Sequence, residues 1–122
     1  MADESGIVMV TMNYVPGKKI TRVIGTIWGI TVRSRGIGGN IMAGLRSLGG
    51  GEIKEYSKML FDARNTAMDR LKDAAKQLGA NAVIELRFDS SDIGQVMTEI
   101  VAYGTAVVIE DASGTAERVS LS

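Results

Sequence analysis

Between Gln95 and Glu110 the chain reads as a long β-strand that is apolar on both faces. Met97, Val101, Tyr103, Val107 and Ile109 fall on one parity, and Val96, Ile100, Ala102, Ala106 and Val108 on the other. Such a strand needs cover on both sides. The sequence offers one long helix for this, over about residues 52–78. There Ile53, Tyr56, Leu60, Ala63, Ala67, Leu71, Ala74 and Leu78 recur at helical spacing, and Gly79 supplies the stop. One helix covers one face, and association with further copies of the chain answers the deficit.

The helix itself repeats the point. Phe61, Met68 and Ala75 form a second line spaced by seven, which widens its apolar arc beyond a single core stripe. Either a short helix over about residues 38–48, built around Ile41–Leu45, packs there, or a partner subunit does. Both remain open at this level.

The remaining pattern is β. Ile7–Met12 is a strand-like run, and Pro16-Gly17 within Asn13–Lys19 marks a turn. Ile20–Arg33 reads as a strand with Ile20, Ile24, Trp28, Ile30 and Val32 on one parity and Val23 and Ile27 on the other. Gly25 and Gly29 interrupt it, which suggests a bulge, a bend or the close approach of another backbone, including that of a neighbouring subunit. Ala82–Phe88 alternates Ile84, Leu86 and Phe88 against Glu85 and Arg87, and Asp89–Gly94 reads as a polar turn. The expected fold class is α+β: a mainly antiparallel sheet on one long helix plus the short one. Residues 7–110 form a single domain between an N-terminal tail, 1–6, and a flexible polar tail, 111–122.

The 122 residues suffice for one core, and 14 basic against 14 acidic side chains leave no net charge to draw the chain to nucleic acid or anionic lipid. No apolar run approaches the ~20 residues that span a bilayer, and the acidic Met-Ala-Asp-Glu-Ser start does not resemble a secretory signal, so a cytoplasmic location is expected. The chain contains no cysteine and no histidine. Thiolate nucleophiles, imidazole bases and Cys/His metal sites are thereby excluded.

Four groups of residues invite a functional reading. Gly36-Ile37-Gly38-Gly39-Asn40 could cradle a phosphate, but Leu45-Arg46 stands where a P-loop needs Lys-Ser/Thr, and Ile41 where a dinucleotide fingerprint needs glycine. Arg33 and Arg35 beside Gly38 and Gly39 could still bind a small anion. Asp89-Ser90-Ser91-Asp92 gathers oxygen donors without the spacing of a calcium loop. Glu52, Tyr56 and Arg64, at the buried edge of the long helix, could line a polar pocket, but no nucleophile with an adjacent base accompanies them.

Gly50-Gly51-Glu52, Tyr56, Ala63-Arg64, Ala67, Leu78-Gly79-Ala80-Asn81-Ala82-Val83, Arg87-Phe88 and Tyr103-Gly104-Thr105-Ala106-Val107 together resemble the YbjQ-like family of small bacterial and archaeal proteins, over roughly residues 20–109. The resemblance implies a curved sheet packed on a long helix, with subunits closed into a homopentameric ring. The family is labelled "putative heavy-metal-binding", although it has no established activity. A heavy-metal site is not expected here, because methionines are the only soft donors available. The reading is a non-enzymatic, ring-forming binding or scaffold domain without a cofactor. Phe61, Met68, Gly25 and Gly29 are its candidate interface residues. The alternatives are a binder of a small anion or metabolite and an enzyme using Glu52 and Tyr56.

Overall fold

The computed structural model describes residues 6–34, 54–94 and 96–112, with backbone alone at 54–56. Strand β1 is Val8–Met9, β2 is Lys18–Ser34, helix α1 is Lys54–Gln77, β3 is Ala82–Ile93 and β4 is Met97–Asp111. The strands form one open sheet in the order β1-β3-β4-β2, with β1 parallel to β3 and the other pairs antiparallel. The fold is α+β, as the pattern implies, and the sheet does not close into a barrel. The short helix expected at 38–48 lies outside the described residues.

Local chemistry accounts for the joints. The Lys18 N–H donates to the Val15 carbonyl at 3.0 Å across Pro16 and Gly17, and Gly17 has φ 76°, as a type II turn requires. At the end of α1 the Ala80 N–H donates to Ala75 and the Gly79 N–H to Lys76, while Gly79 takes φ 83°. This is the Schellman pattern, and it satisfies carbonyls that the helix end would leave open. Asn81 then binds Ile109 twice, donating from Nδ2 to its carbonyl at 2.9 Å and accepting from its N–H at 2.7 Å. Its side chain thus imitates a strand peptide and docks the start of β3 on β4.

α1 lies across one face of the sheet, the inner face. Ala63, Ala67, Leu71 and Ala75 are fully buried there and meet Ile27, Val83, Leu86, Ile100, Ala102 and Ala106. Small residues set the spacing. A Cβ at Gly29 would fall 2.5 Å from the Leu71 nitrogen and against the Ala67 carbonyl oxygen, so the helix backbone rides directly over this glycine. The close approach suspected at Gly29 is therefore made to the chain's own helix. Gly25 sits instead at a register shift with φ 145°, a backbone conformation that favours glycine.

Bulges correct the expected parities. The register of β2 against β4 slips between Ile20 and Arg22 and again between Val23 and Gly25. Ile24 is thereby turned towards the core under α1, while Val23 is exposed. β3 slips against β4 between Ile84 and Arg87. Ile84 consequently faces away from Leu86 and Phe88, with which it was grouped. β3 also runs through the expected polar turn to Ile93, so Asp89-Ser90-Ser91-Asp92 is strand and its members alternate between faces rather than converge.

The helix bounds and the end of the domain shift slightly. α1 covers 54–77 among the described residues. Ala75 is at its buried centre, Met68 is half-buried against the core, and Phe61 is 66% exposed, so the second line is not one surface. Leu78, expected in the core stripe, is 49% exposed beyond the helix end. β4 continues to Asp111, which pairs with Lys18, and Ala112 is buried with its N–H on the Gly17 carbonyl. These two residues belong to the fold rather than to a tail.

The opposite, outer face is covered in part. Segment 7–15 runs along β3 and turns over its end, so Val15, with Val8 and Val10, packs on Ala82, Ile84, Val107 and Ile109. Cover for this end of β4 comes from within the chain. Farther along the same face Trp28, Ile30 and Val32 of β2 are exposed, and Val101 and Tyr103 of β4 are half-buried.

Candidate functional site

Between the covered and the bare parts of the outer face lies a cleft of about 290 Å³ lined by Thr26, Glu85, Arg87, Tyr103, Gly104 and Thr105. The β3 bulge builds it. Arg87 pairs with Tyr103, and Tyr103 with Trp28, so these three side chains form one row across β3, β4 and β2. Ile84, Thr105 and Thr26 form the next row, and Glu85 is the extra residue between them. Glu85 has φ 53°, the only positive value among the described non-glycine residues, and its N–H is held by the Met12 carbonyl at 2.9 Å. A left-handed glutamate costs roughly 1–2 kcal/mol, and such strain collects where a side chain must be aimed. Opposite the bulge Gly104 has no room for a side chain on the inner face, where a Cβ would lie 2.7 Å from Val83 Cγ1 and 2.9 Å from the Ile84 carbonyl oxygen.

The polar groups of the cleft are largely unspent. Arg87 uses Nη1 to donate to the Thr11 and Leu86 carbonyls, each at 3.0 Å, which fixes the guanidinium against segment 7–15 and leaves its other nitrogens available. Among the described residues the Glu85 carboxylate, the Tyr103 hydroxyl and the Thr26 and Thr105 hydroxyls make no hydrogen bond. The cleft therefore offers an anion, a cation and neutral hydroxyls on one wall.

The residues singled out from the sequence lie elsewhere. Arg35, Gly38, Gly39 and Glu52 are outside the described residues, as is the side chain of Tyr56. Arg33 is half-buried on the inner face, donating from Nη2 to Thr66 Oγ1 at 2.8 Å and from Nε to Thr31 Oγ1 at 3.3 Å, which ties the end of β2 to α1. Arg64 stacks over Phe88, 5.2 Å from its centroid. Neither reaches the cleft. Sequence reasoning missed Glu85, Arg87 and Tyr103 as a site because it assigned the first two to a solvated strand face and the third to an apolar one. A usable signal is the unbroken Ala82-Val83-Ile84 run followed by Leu86 and Phe88, which no single strand parity accommodates.

Residues 7–110 match a family model, YbjQ, described as "Putative heavy-metal-binding". The chain belongs to this family. It is 80% identical over all 122 residues to a UPF0145 protein of Thermoplasma volcanium, covering the whole of both chains. A UPF0145 protein of Thermoplasma acidophilum is 72% identical over 97% of this chain and 99% of its own, and one from Bradyrhizobium is 55% identical over 89% and 98%. A crystal structure of a protein of unknown function in the DUF74 family, from Pediococcus pentosaceus, superposes with a TM-score of 0.57 at 17% identity, over 86% of this chain and 99% of that one. This last likeness concerns the fold. Arg87, Tyr103, Gly104 and Thr105 of the cleft all lie within the motifs that carry the family resemblance.

The donors do not fit the metal in the family's description. The sequence lacks cysteine and histidine altogether, and no three acidic residues gather among the described residues. Soft heavy-metal ions are held chiefly by thiolate and imidazole, and of the soft donors the sequence holds methionine thioethers alone. No helix among the described residues is long and apolar enough to cross a membrane.

Proposed function

We propose that this chain is a non-enzymatic, self-assembling binding or scaffold module in which the edge of β2 and the bare part of the outer face close on another copy, with a ring of five as the form implied by the family resemblance. One observation carries the reading. β2 is an edge strand, and from Val23 to Val32 it bears no charged side chain while exposing Val23, Trp28, Ile30 and Val32. Edge strands that stay solitary are protected by charges or prolines, and this stretch is not.

A groove of about 340 Å³ between β2 and the end of α1, lined by Thr26, Ile27, Trp28, Ala74 and Leu78, adds a recess for a neighbour's apolar side chain. A second copy suits the surface because the patch is uncharged and the chain has no net charge, so nothing selects an acidic or basic foreign partner. Contact between two different patches propagates head to tail, and it closes into a ring if the rotation permits. The carboxylate of the cleft is open to water, which suits reversible binding of a ligand.

Light scattering coupled to size exclusion tests the reading. The wild type should elute as one species at a multiple of 13.0 kDa, five-fold for the ring. Trp28→Glu should shift it to smaller species of unchanged circular dichroism. A wild-type protein of 13.0 kDa at micromolar concentration would sink the proposal.

A further inference from the structure

We infer that the outer-face cleft is a binding site for a small zwitterion, a molecule carrying an ammonium and a carboxylate as a free amino acid does. Glu85 receives the cationic end and Arg87 the anionic end. The cleft's lining residues named above all come from one chain, so this inference goes beyond self-assembly, and the two are tested by separate readouts.

The charges argue for both ends at once. Glu85 and Arg87 line the same cleft but do not form an ion pair with each other, nor does either meet another charged partner among the described residues. A lone anion at Arg87 would share the cleft with the Glu85 carboxylate, and a lone cation at Glu85 would share it with the guanidinium. Either leaves one charge opposed, whereas a ligand bearing both satisfies each. The available nitrogens of Arg87 offer the forked donors that suit a carboxylate.

Size and rigidity agree. About 290 Å³ is roughly the share of ten liquid water molecules, which suits a small metabolite and is too little for a dinucleotide. The charged groups stand on strands rather than on a loose loop. Glu85 is held by its backbone bond to Met12, and Arg87 by Thr11 and Leu86. The guanidinium, fixed in this way, loses little freedom when a ligand arrives. Thr26, Thr105 and Tyr103 supply neutral hydroxyls for the remaining polar atoms of a ligand.

The chain carries its own reporter. Trp28 is the sole tryptophan and the direct cross-strand neighbour of Tyr103 on the cleft wall. Its fluorescence is titrated with L-alanine, L-glutamine and L-arginine as zwitterions, and with sodium acetate, methylammonium chloride and glycerol as controls. Calorimetry on the same samples confirms saturation. At least one amino acid should saturate with a Kd of about 1 mM or tighter, and each control should bind at least about tenfold more weakly. Glu85→Gln should weaken the amino acid by at least about tenfold. Glu85→Asn should do the same, since asparagine tolerates positive φ and guards against a folding artefact. The inference is overturned if no amino acid saturates by about 20 mM, if acetate or methylammonium binds as tightly, or if both variants bind like the wild type. Light scattering on the same samples reports assembly separately, so loss of one reading is distinguishable from loss of the other.

Discussion

The outer face of the sheet has two parts that share β4, one resting on β3 and the other on β2, and they differ in what covers them. Around Val107 and Ile109 the segment 7–15 turns back over the sheet, and Val107 has no exposed surface. Farther along the face, on β2, Trp28 is 58% exposed and Ile30 and Val32 stand open beside it. The odd-numbered parity of β4 passes from one half to the other without a break. β1 lies beyond β3, at the edge remote from β2, so segment 7–15 reaches over β3 and β4 and not over the far half. An apolar pattern states a demand for cover, and topology decides whether the chain can meet it.

The largest effect should come from breaking the covered half. Val107→Asp places a carboxylate with no partner beneath Val15, and it should cost at least about 3 kcal/mol of unfolding free energy, read from urea denaturation. A loss under about 1 kcal/mol would mean that segment 7–15 does not seal this end.

The helix offers the same contrast on a smaller scale. Met68 is half-buried against the core and Phe61 is exposed, although both belong to one sequence line. Met68→Glu should lower stability by about 2 kcal/mol, whereas Phe61→Glu should change it by less than about 0.5 kcal/mol. Equal effects would restore the line as a single surface, and loss of assembly in either variant would place that residue at a subunit contact.

The parts legible in advance were those governed by local chemistry. Pro16-Gly17 sets its own turn, Gly79 stops its own helix, and the placing of Ala63, Ala67 and Leu71 in the core follows from helical spacing. Register is different, because it belongs to two strands at once. The slip at Glu85 becomes visible only when β3 is laid on β4, and it sends Ile84 to one face and Leu86 to the other. The cleft is a product of that slip. Glu85 and Arg87 are separated by one residue and look like neighbours on a solvated strand until Gly104 and Tyr103 are placed opposite them. Arg33 looked more promising because arginines beside glycines suggest anions, and Arg64 because it shares the helix's buried edge with Glu52 and Tyr56, yet the fold employs Arg33 on threonine hydroxyls and Arg64 on Phe88.

Between the two faces, one small defect can be removed. Thr98 lies opposite Arg33 on the inner face, 5% exposed, and its hydroxyl has no hydrogen-bond partner among the described residues. Thr98→Val keeps the shape, deletes the unpaired oxygen and suits a strand, so stability should rise by about 1 kcal/mol. A loss of similar size would reveal a partner for that hydroxyl in solution.

The smallest change in protomer stability should come from the bare half, and there the absence of an effect is informative. Val32 is 47% exposed, so a longer polar side chain at this position reaches water without displacing core atoms. Its cross-strand partner on the same face is Glu99. Val32→Lys therefore exchanges an apolar contact for an opposite-charge pair worth a few tenths of a kcal/mol, against a comparable loss of strand preference. Within one protomer these terms should cancel to within about 0.5 kcal/mol. In an assembly that buries this face they do not cancel, because the ammonium must leave water on meeting the neighbour's apolar surface. Urea titrations at two protein concentrations separate the cases, since the midpoint of an assembled protein moves with concentration and that of a monomer does not. The wild type should show the shift, and Val32→Lys should show little or none. If Val32→Lys destabilises the chain at every concentration by as much as Val107→Asp, the two halves of the face are equivalent and the bare half is covered from within.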